Sequence, residues 1–445
     1  MFRILSLALI TFAAVVEAAS ARPNVLFIMV DDLGFGDLSS HGATDLRTPN
    51  IDRLMADGVR FDNAYANCPV CSPTRAAFLT GRYPDMVGVP GVIRTYRKDN
   101  WGRLDTSAPT IAEVFKGGGY HTSLIGKWHL GLDGDAVPTR CGFDHFHGWL
   151  GDMMDDYYKH RRHDIEYMRE GTELIKPQGH ATDLFTTWAC DYLKVRAADK
   201  EVPFFLFLSY NAPHTPIQPP ADCLAKVKAR ENGISDQRAK LVALIEHLDD
   251  GIGRVRDCLE ASGLAGDTLI VFTSDNGGQS NVGANNGASR GGKQEMWEGG
   301  IRVPTCVVWP GKTMAGRRLA PVTMTMDWLP TLAEAVEIGV PEGLDGRSIL
   351  PDILGGAAAG AQRTLVWVRR EGGRKYGGRA YYAIRRGQWK LLQNSPYEAM
   401  QLFDLDSDPM EQSPVTTQPK IYGELSDALR VHINASGQIP WQREP

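Results

Sequence analysis

The chain has 445 residues, with 48 Lys and Arg against 53 Asp and Glu, a net charge of −5, 43% hydrophobic and 23% charged residues. This is ordinary globular composition; it excludes a disordered chain, a collagen and a generally basic nucleic-acid binder. The length corresponds to about three domains at ~150 residues each, although α/β enzymes often form larger single units, and the 47 Gly and 26 Pro fit an enzyme with many structured loops.

Residues 1–21 read as an export signal: Arg3, the apolar run 4–16, then the small residues Ala18, Ala19, Ser20 and Ala21, with cleavage expected after Ala21. The run is too short to cross a bilayer and no later run is longer, so no transmembrane segment is expected and the mature chain should be soluble and exported. A bacterial source would place it in the periplasm or outside the cell, a eukaryotic one in the lysosome or secreted. The sequon Asn434-Ala435-Ser436 matters only in the second case. Seven cysteines (68, 71, 141, 190, 223, 258 and 306) are an odd number for an exported chain. If one is chemically converted, the remaining six allow 15 pairings, and the sequence names no bridge.

From residue 22 onward, short apolar runs alternate with helical stretches, the pattern of an α/β sheet flanked by helices. Strands are predicted at 24–30, 120–125, 203–209, 268–273 and 303–309, each bounded by Gly, Pro, Asp or Asn. Helices are predicted at 50–56, 110–116, 182–196 and 236–262, the last with Leu241, Leu244, Ile245, Leu248 and Ile252 on one face. The segment 355–360 (GGAAAG) reads as a flexible link. Beyond it, strands at 363–370, 380–385, 389–393 and 401–405 and a helix near 421–434 predict a small antiparallel subdomain over 361–445, after a main domain over 22–355.

Four predicted strands run into ionisable groups. They lead to Asp31-Asp32, to Lys127 and His129, to His214, and to Asp275-Asn276. Ligands of open α/β sheets bind outside the carboxyl ends of the strands, so three carboxylates and an amide can converge there. Oxygen donors with no adjacent His or Cys suit Ca²⁺ or Mg²⁺ rather than Zn²⁺. Any one pair could equally cap a turn or helix; caps have no reason to gather on one edge. In 71–81 (CSPTRAAFLTG), Pro73 suits a first helical turn and Gly81 a helix end, which puts Cys71 at a helix N-terminus. On these residues alone, Cys71 could pair with Cys68 or be a buried structural thiol.

The segment resembles the signature of the type I sulfatases, in which a Cys within C-x-P-[S/T]-R, followed by Thr-Gly, is oxidised to formylglycine. Thr74 stands where that signature often has Ser. The blocks 31–34 (DDLG), 48–52 (TPNID), 126–131 (GKWHLG), 212–216 (APHTP), 274–277 (SDNG), 290–293 (RGGK), 298–304 (EGGIRVP) and 402–409 (LFDLDSDP) are similar to family blocks in family order and cover nearly the whole mature chain. The resemblance implies an alkaline-phosphatase-like α/β fold, a central mixed sheet flanked by helices with a small C-terminal antiparallel sheet and helix. It implies a metal, usually Ca²⁺ with Mg²⁺ the lesser choice, on Asp31, Asp32, Asp275, Asn276 and the modified Cys71. Arg75, Lys127, His129, His214 and Lys293 complete the implied site, and a formylglycine-generating enzyme is the implied partner during maturation.

The chemistry asks for such groups. A sulfate ester is anionic, so metal, Lys127 and Lys293 would neutralise its oxygens, and Arg75, one helical turn from residue 71, would steady the modified side chain and its neighbours. A hydrated aldehyde offers one hydroxyl to attack sulfur. A second, deprotonated by His129, lets the bound sulfate leave by C–O cleavage, while His214 protonates the departing alcohol. The stretch 149–163 joins Trp149, Asp152, Asp155, Asp156 and Tyr157 with His160, Arg161, Arg162 and His163, groups that suit sugar rings, hydroxyls and further anionic substituents. With a resemblance to the arylsulfatase A and N-acetylgalactosamine-6-sulfatase-like branch, this points to an exo-acting carbohydrate sulfatase with a sulfated saccharide as substrate. The alternatives are a phosphonate or phosphate ester hydrolase of the same superfamily and a non-catalytic sulfated-glycan binder. No nucleic-acid motif is present, and the sequence leaves the oligomeric state open.

Overall fold

A computed structural model describes residues 22–95, 104–356, 363–372 and 378–441. The export signal at 1–21 and residues 357–360 of the 355–360 link lie outside the described residues. Ten strands form the main sheet: β1 Asn24–Val30, β2 Val59–Phe61, β3 His121–Lys127, β4 His145–Trp149, β5 Met168–Glu170, β6 Glu173–Leu174, β7 Phe204–Ser209, β8 Thr268–Ser274, β9 Thr305–Val308 and β10 Arg317–Leu319. Their order is β10-β2-β9-β8-β1-β7-β3-β4-β5-β6. The centre, β8-β1-β7-β3-β4, is parallel; β9 and β5 join it antiparallel, so the sheet is mixed.

The central strands are continuous apolar runs because both of their faces are covered. Residues 25–30 of β1 and all of β7 are buried. One helical layer packs α1 Pro49–Asp57, α4 Ala181–Ala197 and α5 Ala221–Arg230 on α6 Asp236–Ala261. The other joins α2 Cys71–Thr80, α3 Ile111–Gly117 and α7 Trp328–Ala335. Local signals explain the helix ends. The Thr110 side chain caps α3 in a reciprocal box with Glu113, and Ser235 caps α6 through the Arg238 N–H. The five apolar residues expected on one face of α6 are all buried.

A bridge between Cys190 of α4 and Cys258 of α6 closes a 68-residue separation. Loop-closure entropy for that length is on the order of 4 kcal/mol. Replacing both cysteines with alanine should therefore lower the denaturation midpoint by a corresponding amount, and an unchanged midpoint would show that the bridge is not formed in the protein.

The C-terminal sheet, β11 Thr364–Arg370, β12 Ala380–Arg386, β13 Trp389–Gln393 and β14 Gln401–Asp404, is an antiparallel meander. Its alternation serves two cores. Leu365, Trp367, Ala383, Leu392 and Phe403 pack on Tyr65, Met296, Trp297, Ile301 and Met326 of the main body. Val366, Val368, Ile384, Leu391 and Leu402 pack on Leu425 and Leu429 of α8 Pro419–Ser436. A fully buried Lys390 between Glu298 (2.8 Å) and Glu411 (2.7 Å) ties the sheet to the main body.

Candidate active site

The carboxyl edge of the central strands carries the chemistry, as the sheet architecture dictates. Asp31 and Asp32 follow β1, Lys127 ends β3, Ser209 ends β7 with His214 shortly beyond, and Asp275 and Asn276 follow β8. Cys71 opens α2, all ten residues of which are buried, including Arg75 and Thr74. Gly81 closes the helix in a left-handed conformation, its N–H bonded to the Ala77 carbonyl. Close backbone approaches make the convergence possible. A Cβ on Gly126 would lie 1.9 Å from the Ser209 carbonyl oxygen, and one on Gly277 would lie 1.9 Å from that of Gly299, so only glycine fits beside Lys127 and Asn276. Asp32 (φ 67°) and His129 (φ 65°) hold left-handed backbones that cost non-glycine residues about 1–2 kcal/mol each, strain typical of a functional edge.

The ionised groups form one network. Arg75 donates to Asp275 Oδ2 through Nε (3.0 Å) and Nη2 (2.8 Å) and to Ser209 Oγ through Nη1 (2.5 Å). Lys127 Nζ donates to Asp31 Oδ2. Lys293 Nζ lies 2.7 Å from Asp32 Oδ2 and 2.9 Å from His214 Nε2. Three buried carboxylates thus face the buried cations Arg75 and Lys127 and the Lys293 ammonium, whose side chain is 8% exposed, a pairing that offsets the cost of taking these groups out of water. Burial alone would raise the Asp31 carboxyl, but Lys127, then His214, Arg75 and Lys293, hold it well below the usual carboxylate range. Asp275 goes the other way: burial and then the Asp31 charge push it up to about 7. Burial alone would lower the Lys293 ammonium, and Asp32 leads the contacts that hold it above its ordinary value.

Both histidines are neutral and their tautomers are set by carbonyls, which only accept. His129 Nε2 donates to the Ile93 oxygen (2.8 Å), leaving Nδ1 as a buried lone pair with no partner among the described residues. Burial, then Lys127 and Arg75, lower its pKa well below the ordinary value. His214 Nδ1 donates to the Thr215 oxygen (2.7 Å), so its Nε2 accepts from Lys293. Burial first and Lys293 second lower its pKa.

The oxygen cluster fits a hard cation. Ligand atoms of Asp31, Asp32 and Asp275 lie within 4.8 Å of one another, as do those of Asp31, Cys71 and His214. Asp31 Oδ1 and Asn276 Oδ1 are buried with no hydrogen-bond partner among the described residues. Two orphaned, inward oxygens beside further carboxylates are the donor chemistry of Ca²⁺.

The stretch 149–163 divides. Trp149 is fully buried, edge-on to Tyr167. His160 is buried and bonded to the Gly179 oxygen (3.0 Å). Tyr157 is buried, its hydroxyl shared between the carbonyl oxygens of Asn211 (2.9 Å) and His214 (2.8 Å). These three, expected at the substrate, are buried, Trp149 at the end of β4, while His160 also lines a cavity with Tyr158, Lys159, Arg161 and Glu166. Asp155 pairs with Arg162 (2.6 Å), Asp152 lies 3.2 Å from Arg162 Nε, and Asp156 accepts from the Tyr158 and Lys159 amides. Asp155, Arg161 and His163 are exposed. Ser209 and Tyr157 hold the site in ways the sequence reading missed; a lone polar residue ending the apolar run FFLFLS was the available signal for Ser209.

A buried carboxylate cluster, matched cations and a helix N-terminus meet on the carboxyl edge of an α/β sheet, an arrangement that could hold an anionic ester beside a hard metal. The family model described as Sulfatase matches residues 23–338, and that of the N-sulphoglucosamine sulphohydrolase C-terminal region matches 292–437. The chain belongs to the sulfatase family. It is 32% identical to mouse arylsulfatase J over 401 residues, 85% of this chain and 65% of that protein, so it spans just under two thirds of that relative. It is 30% identical to dog N-acetylgalactosamine-6-sulfatase over 86% of this chain and 74% of that protein. The solved structure of Ps i-CgsB in complex with k-i-k-neocarrahexaose superposes with a TM-score of 0.84 at 31% identity, covering 93% of both chains.

Proposed function

We propose that the protein is an exported sulfuric ester hydrolase that removes sulfate from the end of a sulfated carbohydrate, using formylglycine at position 71 and Ca²⁺. The observation that carries this reading is the placement of Cys71: buried, first in α2, with its sulfur within 4.8 Å of ligand atoms of Asp31 and His214. Burial pushes the Cys71 thiol up to about 11 against the pull of Lys127 and Lys293, so an unmodified thiol there is protonated and a poor nucleophile. Conversion to the aldehyde hydrate gives the position its reactivity.

Asp31, Asp32, Asp275, Asn276 and residue 71 would hold the cation. When bound, Ca²⁺ supplies Lewis-acid charge beside the nucleophile. Lys127 and Lys293 offset the charge on the sulfate oxygens. Arg75 orients Asp275 rather than the substrate. His129 Nδ1 is the free base for a hydroxyl of residue 71, and His214 Nε2, which accepts from the Lys293 ammonium, takes that ammonium's proton and passes it to the leaving oxygen. Among the 149–163 residues, Asp152, Asp155, Asp156, Arg161, Arg162 and His163 remain the candidates for saccharide contact. The Ps i-CgsB complex holds an oligosaccharide, which supports a carbohydrate substrate. The Cys190–Cys258 bridge fits an oxidising compartment, and no described helix is long and apolar enough to cross a membrane.

The test is the mass of the tryptic peptide 61–75 from protein made with a formylglycine-generating system. An aldehyde at position 71 and turnover of sulfate over matched phosphate esters are expected. Unmodified Cys71, alongside a converted control sulfatase, would sink the reading.

A further inference from the structure

We propose that Arg369, on the C-terminal sheet, is a positioning residue for Lys293; the inference rests on the catalytic reading of Lys293 above. The last residues of β11 reach three segments of the active-site wall. The Val368 oxygen accepts from Cys68 Sγ (3.4 Å), three residues before Cys71. The Arg370 amide donates to the Pro90 oxygen (2.8 Å), in the segment whose Ile93 oxygen orients His129. Between them, Arg369 Nη1 donates to the Gln294 oxygen at 2.6 Å.

Gln294 follows Lys293 directly and has φ 79°, a left-handed backbone that a non-glycine residue keeps only when its surroundings impose it. Two hydrogen bonds impose it. Its amide donates to the Pro69 oxygen (2.8 Å) and its oxygen accepts from Arg369, while the Lys293 amide donates to the Gly278 oxygen (3.0 Å). Arg369 is itself fixed: 3% exposed, with Nε on Glu371 Oε1 (3.0 Å) and its guanidinium over the Tyr381 ring at 4.8 Å. The other oxygen of Glu371 pairs with Arg94 (3.1 Å). The bend at Gln294 sets the direction in which the preceding Lys293 side chain leaves the loop. A small change there moves Nζ out of the 2.9 Å contact with His214 Nε2, and positioned proton transfer falls steeply with distance.

This assigns a catalytic duty to the small sheet, through loop geometry rather than contact with substrate. The experiment compares Arg369→Met, Arg369→Lys and the wild type, each normalised to its formylglycine content. It uses 4-nitrophenyl sulfate, whose leaving group needs no proton, and a sulfated monosaccharide, whose leaving group does. Arg369→Met should lower kcat on both esters, because Lys293 also offsets sulfate charge, and more on the sugar sulfate (about thirtyfold) than on the aryl sulfate (about threefold), as the added loss of aligned general-acid transfer requires. Arg369→Lys, which keeps the charge beside Glu371, should recover part of the loss and still decides the matter if the Met variant fails to fold. Amide hydrogen exchange should quicken in 290–297 and not in β1 or β7. Equal losses on both esters, no loss, or unchanged exchange in 290–297 would overturn the proposal. A wild type that turns over neither ester would instead defeat the sulfatase reading, with the exchange result still deciding what Arg369 holds.

Discussion

Cys71→Ala is expected to lower turnover of any sulfate ester by about 10⁵-fold, the scale seen when a covalent nucleophile is removed, with the fold intact. The side chain lost is a single sulfur at the head of a buried helix, and the network of Arg75, Asp275, Lys127 and Asp31 does not depend on it. Cys71→Ser separates nucleophile from modification. A serine hydroxyl can attack sulfur once, but it has no second hydroxyl whose deprotonation by His129 would expel the sulfate. It should therefore accumulate a covalent sulfate, seen as a mass gain on peptide 61–75, with no sustained turnover. Circular dichroism checks the fold. Sustained turnover by either variant at more than a hundredth of the wild-type rate would show that residue 71 is not the nucleophile.

Calcium removal should give the second large effect, and its form follows from the charges. Asp31, Asp32 and Asp275 are matched by Lys127, Lys293 and Arg75, so chelated protein is expected to stay folded rather than collapse under carboxylate repulsion. Activity is another matter. Without the cation the orphaned oxygens of Asp31 and Asn276 have nothing to present to the reacting anion, and turnover should fall at least ~10³-fold. Added Ca²⁺ should restore it, and Mg²⁺ less well, because a site of several carboxylates at relaxed spacing suits the larger ion. Retention of full activity after exhaustive chelation would remove these four residues from the metal assignment. Unfolding on chelation would show that the three cations do not balance the cluster.

Much of this protein is readable one residue at a time. Strands such as 24–30 and 203–209 declare themselves because parallel strands covered on both faces must be apolar throughout, and β1 and β7 end within a residue of those limits. The run 303–309 shrinks to Thr305–Val308, since Val303 instead donates its amide to the Ala64 oxygen. The strand-end acids, lysine and histidines are legible because sheet topology sends all of them to one edge, and the motif at 71–81 marks the position proposed as the nucleophile.

What periodicity and motif could not supply is which partner each side chain meets. Arg75 was expected to steady residue 71 and its neighbours, and only the fold shows that the neighbours its guanidinium meets are Asp275 and Ser209, residues far away in the chain. Trp149 and Tyr157 look like sugar-facing aromatics in a polar stretch, and that their rings are buried is a matter of packing. The Cys190–Cys258 pairing and the Arg369–Gln294 clamp depend on helices and sheets meeting across large sequence separations. The sequence by itself determined the central strands, the main helices and the edge on which the charges gather, and it marks the residue proposed for modification, because those follow from local apolar patterning and short motifs. Only the tertiary structure decided tautomers, orphaned oxygens and which residues hold others in place, because hydrogen bonding and burial are settled by neighbours that local patterning does not reveal.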